Sequence, residues 1–147
     1  MAIPPPLRER RVFVDSSAYL ALLDADDEHH ADAVQVVQRV IEHRYRQFTT
    51  NVIVIEAHAL ILSTLGVQRA GRFLRDMDES RTAIVRVRAQ DEERAKVIIF
   101  RYGDKDFSFA DAISFVVMQR LRILYAFSFD QHFAQHGFSI LTPDLLS

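Results

Sequence analysis

Short runs of β-branched and aromatic residues alternate along this chain with longer stretches of helical spacing. Arg11 to Asp15 (RVFVD) reads as a buried strand. Ser16 and Ser17 then open a helical stretch. A second helix is expected over Asp27 to Tyr45, with Ala31, Val34, Val37 and Ile41 as its apolar positions. Phe48 to Thr50 is a short candidate strand. The apolar run from Asn51 to Leu65 is too long for one strand and reads as a buried helix, with Asn51 as N-cap and Gly66 as its stop.

The same alternation continues to the end. Helices are expected over Val67 to Met77, Gln90 to Tyr102 and Ser108 to Leu121, the last apolar on nearly every face. Strands are expected over Ala83 to Val87, Leu124 to Phe129 and Phe138 to Leu141, with a short helix from Asp130 to His136. Strands that alternate with helices throughout argue for a parallel sheet covered on both faces. One domain spanning 1–147 is expected, with residues 1–10 as an extended lead-in carrying three prolines.

Composition narrows the class only modestly. Hydrophobic residues make up 49% and charged residues 26%, which fits an ordinary globular domain. A net charge of −2 does not announce a nucleic-acid binder, and leaves room for a local basic patch. The chain has no cysteine, which removes disulfides, thiolate metal sites and cysteine nucleophiles and suits a reducing cytoplasm. No apolar run approaches the roughly 20 residues that a membrane helix needs. MAIPPPLRERR lacks the apolar core of a secretory signal.

Four acids change the picture: Asp15 at the end of RVFVD, Glu56 inside NVIVIEAHALIL, Asp111 inside FSFADAISFVVM and Asp130 at the end of YAFSFD. Each adjoins or interrupts an apolar run, where a lone carboxylate is costly to bury. Asp15 and Asp130 each end an expected strand, where ligands of open parallel sheets bind. Taken singly, these two are equally well read as helix caps. Glu56 and Asp111 lie in early helical turns without a polar stripe beside them, so solvation explains them poorly. Together the four point to a shared divalent cation with oxygen ligands, and to metal-assisted hydrolysis of a phosphodiester.

VFVDSSAYLALLD, TTNVIVIEAHAL, DKDFSFADAISFVVMQRL and AFSFDQHFAQHGF, in that order and spacing, resemble the PIN-domain ribonucleases, in particular the VapC-type toxins of toxin–antitoxin pairs. The resemblance implies a three-layer α/β/α sandwich with a central parallel sheet of four to five strands, and Mg²⁺-dependent cleavage of RNA, with Mn²⁺ as the alternative ion. It carries Asp15, Glu56, Asp111 and Asp130 over as catalytic and metal-binding residues. Glu56 is implied to bind metal directly or through water and to orient the attacking water. Ser16, Ser17 and Ser128 are implied as hydroxyl donors behind the ligands. Asp106 matches a commonly acidic position, and a solvated loop acid explains it equally well. The resemblance further implies a cytoplasmic homodimer silenced by a cognate antitoxin. The alternatives are a PIN nuclease of RNA processing and a catalytically silent binding module.

Other patterns carry less. His132 and His136 are four apart but lack the glutamate of a zinc-protease helix, and are expected to be surface histidines. His29 and His30 read as part of a solvated helix start. Arg8, Arg10 and Arg11 read as a solvated arm rather than an RNA-facing patch, and Arg81, Arg86 and Arg88 flank a strand, where spacing does not show whether they meet phosphates. No phosphate loop, nucleophile elbow or paired strand-end aspartates occur.

Overall fold

The computed structural model describes residues 5–144. Five strands, β1 (Arg11–Val14), β2 (Arg46–Thr50), β3 (Ala83–Val85), β4 (Tyr125–Phe127) and β5 (Ser139–Ile140), form one sheet in the order β3-β2-β1-β4-β5. Every neighbouring pair is parallel, with Phe13 opposite both Phe48 and Ala126. Seven helices join the strands: α1 (Ser16–Leu23), α2 (His30–Glu42), α3 (Asn51–Leu65), α4 (Val67–Glu79), α5 (Ala89–Arg101), α6 (Phe109–Leu121) and α7 (His132–Gln135). Right-handed crossovers put α1 to α4 on one face and α5 to α7 on the other. The expected α/β/α sandwich is therefore the one formed.

Strand order matters for function. From β1 the chain winds outward through β2 to β3, then returns to β4 on the other side of β1 and continues to β5. The winding reverses between β1 and β4, and such a switch point opens a crevice at the carboxyl ends of the two strands.

Sequence pattern explains most of the packing. Phe13, Phe115, Phe127 and Phe133 are fully buried, and Phe13 and Phe115 lie 6.1 and 5.1 Å from the Phe133 ring. The all-round apolar character of α6 has a simple cause. Its Phe115 and Met118 join the sheet core, while Ala112, Ile113, Val116 and Val117 form a second cluster with Ala95 of α5. The two helices are also joined by Asp91 and Arg120, whose Nε and Nη2 donate to Oδ1 and Oδ2 at 3.0 and 2.8 Å.

Several expectations change. The second helix runs His30–Glu42, shorter than Asp27 to Tyr45, because Asp24 and Asp27 accept backbone N–H groups two residues ahead and hold the segment in turns. Its buried face is Ala33, Val36 and Val40; Ala31 and Ile41 are exposed. Both sets have helical spacing, and packing against α1 selects the first. Thr50, rather than Asn51, caps α3 by accepting from Ile53 N at 3.1 Å, while Asn51 Oδ1 accepts from Val87 N at 2.9 Å.

The lead-in also differs. Residues 1–4 lie outside the described residues, and Leu7–Glu9 form a 3₁₀ turn, not extended chain. Arg10 and Arg11 are not a solvated arm. Arg10 donates to Pro5 O at 2.6 Å and His43 O at 2.9 Å, and Arg11 Nη1 donates to Leu121 O at 2.9 Å. Backbone carbonyls left over at helix ends attract such side chains. No helix among the described residues is long and apolar enough to cross a membrane.

Candidate active site

Asp15 directly follows β1, and its backbone N–H donates to Phe127 O of the neighbouring strand at 3.0 Å. It occupies the N-cap position of α1, but its carboxylate makes no cap bond. Its side chain instead faces the mouth between β1 and β4. Oδ2 accepts the hydroxyls of Ser17 and Ser128, each at 2.9 Å. Each hydroxyl in turn accepts a loop N–H, Phe129 N onto Ser17 and Asp130 N onto Ser128, both at 3.0 Å. The two serines thus fasten the loop after β4 to the acid after β1.

The other oxygen, Oδ1, is buried without a hydrogen-bond partner. Burial pushes the Asp15 carboxyl up to about 6; the two serine hydrogen bonds oppose that rise, and the charge of Asp111 adds to it. A buried acceptor without a partner, within the field of a second carboxylate, suits a cation.

Asp111 is buried at the third position of α6. Its Oδ2 accepts Ser108 N at 3.1 Å while Ser108 Oγ accepts Asp111 N at 3.0 Å, a reciprocal cap. The helix N-terminus favours its negative charge. Asp130 Oδ1 accepts His132 N at 2.9 Å, so it has the local turn role that a cap reading allows. It also lies 3.0 Å from His132 Nδ1.

Glu56 is half-buried on α3 and accepts a hydrogen bond from Ser16, the residue after Asp15. Asp106 is an exposed loop acid, as one reading of it had it, and is nonetheless 3.1 Å from His132 Nε2.

The four acids therefore do not close on a single point. Among the described residues, only Asp111, Asp130 and His132 offer ligand atoms that all lie within 4.8 Å of one another. Asp15 joins them through Ser128 and through the field of Asp111, and Glu56 through Ser16. This donor set, Asp111 and Asp130 beside each other with the buried Asp15 carboxylate linked to them through Ser128 and Glu56 linked to Asp15 through Ser16, suits a hard divalent ion.

His132 is the residue that sequence reasoning missed. It is not a surface histidine: Nδ1 lies 2.8 Å from Asp111 Oδ2, and its side chain is 15% exposed. Burial pulls its pKa down, but the hydrogen bond with Asp111 and the charges of Asp130 and Asp111 outweigh that, leaving it above the ordinary value. Only its position two residues past a strand-end acid could have flagged it. His136 is not a surface residue either. It stacks on Phe115 at 4.6 Å, and burial holds its pKa down. The two rings do not share an ion. His29, read as solvated, stacks on Phe129 at 4.5 Å.

Arg86 and Arg88 follow β3, on the same rim of the sheet as Asp15 and Ser128, and both are exposed. Arg81 precedes β3 and so belongs to the opposite rim.

A family model described as PIN domain matches residues 12–139. The chain belongs to the PIN-domain family. This PIN domain is 29% identical over 136 residues to the 23S rRNA-specific endonuclease VapC20 of Mycobacterium tuberculosis, covering 90% of this chain and 99% of the relative. It is 32% identical over 124 residues to a VapC ribonuclease of Archaeoglobus fulgidus, covering 82% and 78%. The crystal structure of M. tuberculosis VapC20, described as a Sarcin-Ricin loop cleaving toxin, matches with a TM-score of 0.84 at 29% identity, over 90% of this chain and 99% of that one. The fold is also that of the VapBC2 structure from Rickettsia felis, solved with a DNA fragment from its promoter (TM-score 0.67, 8% identity, 89% and 97% covered). As a PIN domain the protein is a metal-dependent nuclease.

Proposed function

We propose that this PIN domain is a Mg²⁺-dependent endoribonuclease, with Mn²⁺ able to serve, and the toxin of a type II toxin–antitoxin pair. The observation that carries the site is the buried, unpartnered Oδ1 of Asp15 at the β1–β4 crevice, within the field of Asp111. Asp15, Asp111 and Asp130 hold the ion. Glu56, oriented by Ser16, takes the proton of the attacking water. Ser17 and Ser128 keep Asp15 aimed. The bound ion supplies Lewis acidity at the phosphoryl oxygen and lowers the pKa of its water. Arg86 and Arg88 meet the phosphates of the RNA on either side of the cut.

The substrate is a single-stranded or loop region of RNA, where bases are unstacked and the backbone is reachable. The Sarcin-Ricin loop that the M. tuberculosis relative cleaves is the first to test. In the cell the protein is a cytoplasmic homodimer held silent by a cognate antitoxin. Exposed Val97 and Phe100 on α5 support a protein-covered face.

Cleavage of that loop as a labelled oligonucleotide is the direct test. Cutting is expected with Mg²⁺, to stop with EDTA and to stop with Asp15→Asn. Full activity in either arm sinks the site. Co-expression with the neighbouring reading frame tests the toxin role. Growth arrest relieved by a small partner supports it; the absence of arrest favours a nuclease of RNA processing.

A further inference from the structure

His132 sits among the acids with both ring nitrogens occupied. Nδ1 is 2.8 Å from Asp111 Oδ2 and 3.0 Å from Asp130 Oδ1, and Nε2 is 3.1 Å from Asp106 Oδ1. Each ring nitrogen therefore faces a carboxylate oxygen at hydrogen-bond distance. It occupies the space between two proposed ligands. Two donors at right angles around an ion, each about 2.1 Å from it, lie about 3 Å apart. The separations from Nδ1 to the two carboxylates match that edge. A second observation at the same crevice is the buried, unpartnered Oδ1 of Asp15, which is linked to Asp130 through Ser128 and would welcome a cation.

We propose that His132 is itself a ligand of the cation, through Nδ1, and that Asp106 is the positioning carboxylate that holds its ring from Nε2. As a ligand Nδ1 would give its lone pair to the ion, any hydrogen there leaving to solvent, while Nε2 keeps its hydrogen for Asp106. A carboxylate on the far nitrogen of a ligating histidine fixes the ring and its tautomer. The ring is also fixed at its root, because His132 N donates to Asp130 Oδ1 at 2.9 Å, and on its side by the Phe107 ring, edge-on at 5.5 Å. The resulting mixed oxygen–nitrogen set favours Mn²⁺ over Mg²⁺, since imidazole suits transition metals and Mg²⁺ keeps to oxygen. This inference rests on the metal-dependent reading of the acidic site.

Pulsed EPR of the full-length protein with Mn²⁺ alone, without RNA, tests it. The wild-type spectrum is expected to show ¹⁴N coupling from an imidazole. The coupling should vanish in His132→Gln and persist in His136→Gln. Calorimetric titration should show Mn²⁺ affinity falling at least about tenfold in His132→Gln, with a smaller change for Mg²⁺. Asp106→Ala should lower Mn²⁺ affinity by about tenfold while the coupling remains. Bound Mn²⁺ without nitrogen coupling, or coupling that survives His132→Gln, overturns the ligand role and leaves the acidic site standing. Absence of Mn²⁺ binding, or binding indifferent to Asp15→Asn and Asp111→Asn, overturns the acidic site and this inference with it. Circular dichroism of each variant separates loss of a ligand from loss of fold.

Discussion

Asp91 and Asp15 are both shut off from solvent, at 0% and 3% exposure, yet only Asp91 has a cation against it. The Arg120 fork grips both oxygens of Asp91, and Arg88 N adds a third bond at 2.9 Å. Burial works to raise the Asp91 pKa, but these partners overcome it and hold the carboxyl below its usual range. Asp15 receives only neutral donors, the hydroxyls of Ser17 and Ser128 and the Ser16 backbone, and burial wins. A buried acid with a built-in counter-charge belongs to the architecture. One left incomplete has room for a ligand.

The sharpest way to break this contrast is to remove the charge of each acid in turn. Asp15→Asn is expected to lower RNA cleavage about a thousandfold, because it removes a proposed ligand of the ion. The same change should raise the stability of the metal-free protein by about 1–3 kcal/mol, since it removes an uncompensated buried charge. Denaturant unfolding in EDTA checks the second half.

Asp91→Ala should do the reverse. It strands Arg120 and costs about 3–5 kcal/mol of stability, while the folded fraction keeps its turnover within about twofold. Loss of chemistry without loss of stability there would erase the distinction.

The pH dependence separates the two acids next. The Asp15 pKa rises on folding from 3.8 to about 6, so the folded state holds that proton more tightly. Metal-free stability therefore falls as pH rises from about 4 to about 6, by an amount on the order of 3 kcal/mol. A saturating divalent ion should remove the fall. Asp91, with its pKa depressed, has the opposite sign. Its contribution is present above the unfolded value of 3.8 and is lost as pH falls below it. Melting curves across pH, with and without the ion, read both.

The smallest effect belongs to the rim. Arg86→Ala and Arg88→Ala are each expected to raise KM severalfold with kcat kept, and to reduce the salt slope of RNA binding by about one unit. Arg81→Ala, on the far rim, should change neither.

How far these acids were legible in the sequence follows from their neighbours. Asp15 and Asp111 stand out because apolar residues surround them in the chain as they do in space. Asp91 is hidden in QDEERAK, which reads as a solvated charge run, and its burial depends on Arg120 arriving from a different helix. His132 was misread for the same reason, since its partners Asp106 and Asp111 come from a preceding loop and helix. The parallel sheet was legible from alternating periods, because each period is local. The turn of α2 toward Val36 and Val40 was not, because two apolar faces competed and tertiary packing decided between them.

β1 lies at the middle of the sheet with β4 beside it, so the crevice borrows one wall from each end of the chain. Strand pairing over such a separation is a late event in folding. With the site proposed above, no cutting is expected from the nascent chain until the segment carrying Ser128, Asp130 and His132 has emerged. A chain cut short before that segment has a sheet without its cutting edge. On that reading, translation order would serve as a safety catch on a nuclease proposed to attack the RNA of the machine that makes it.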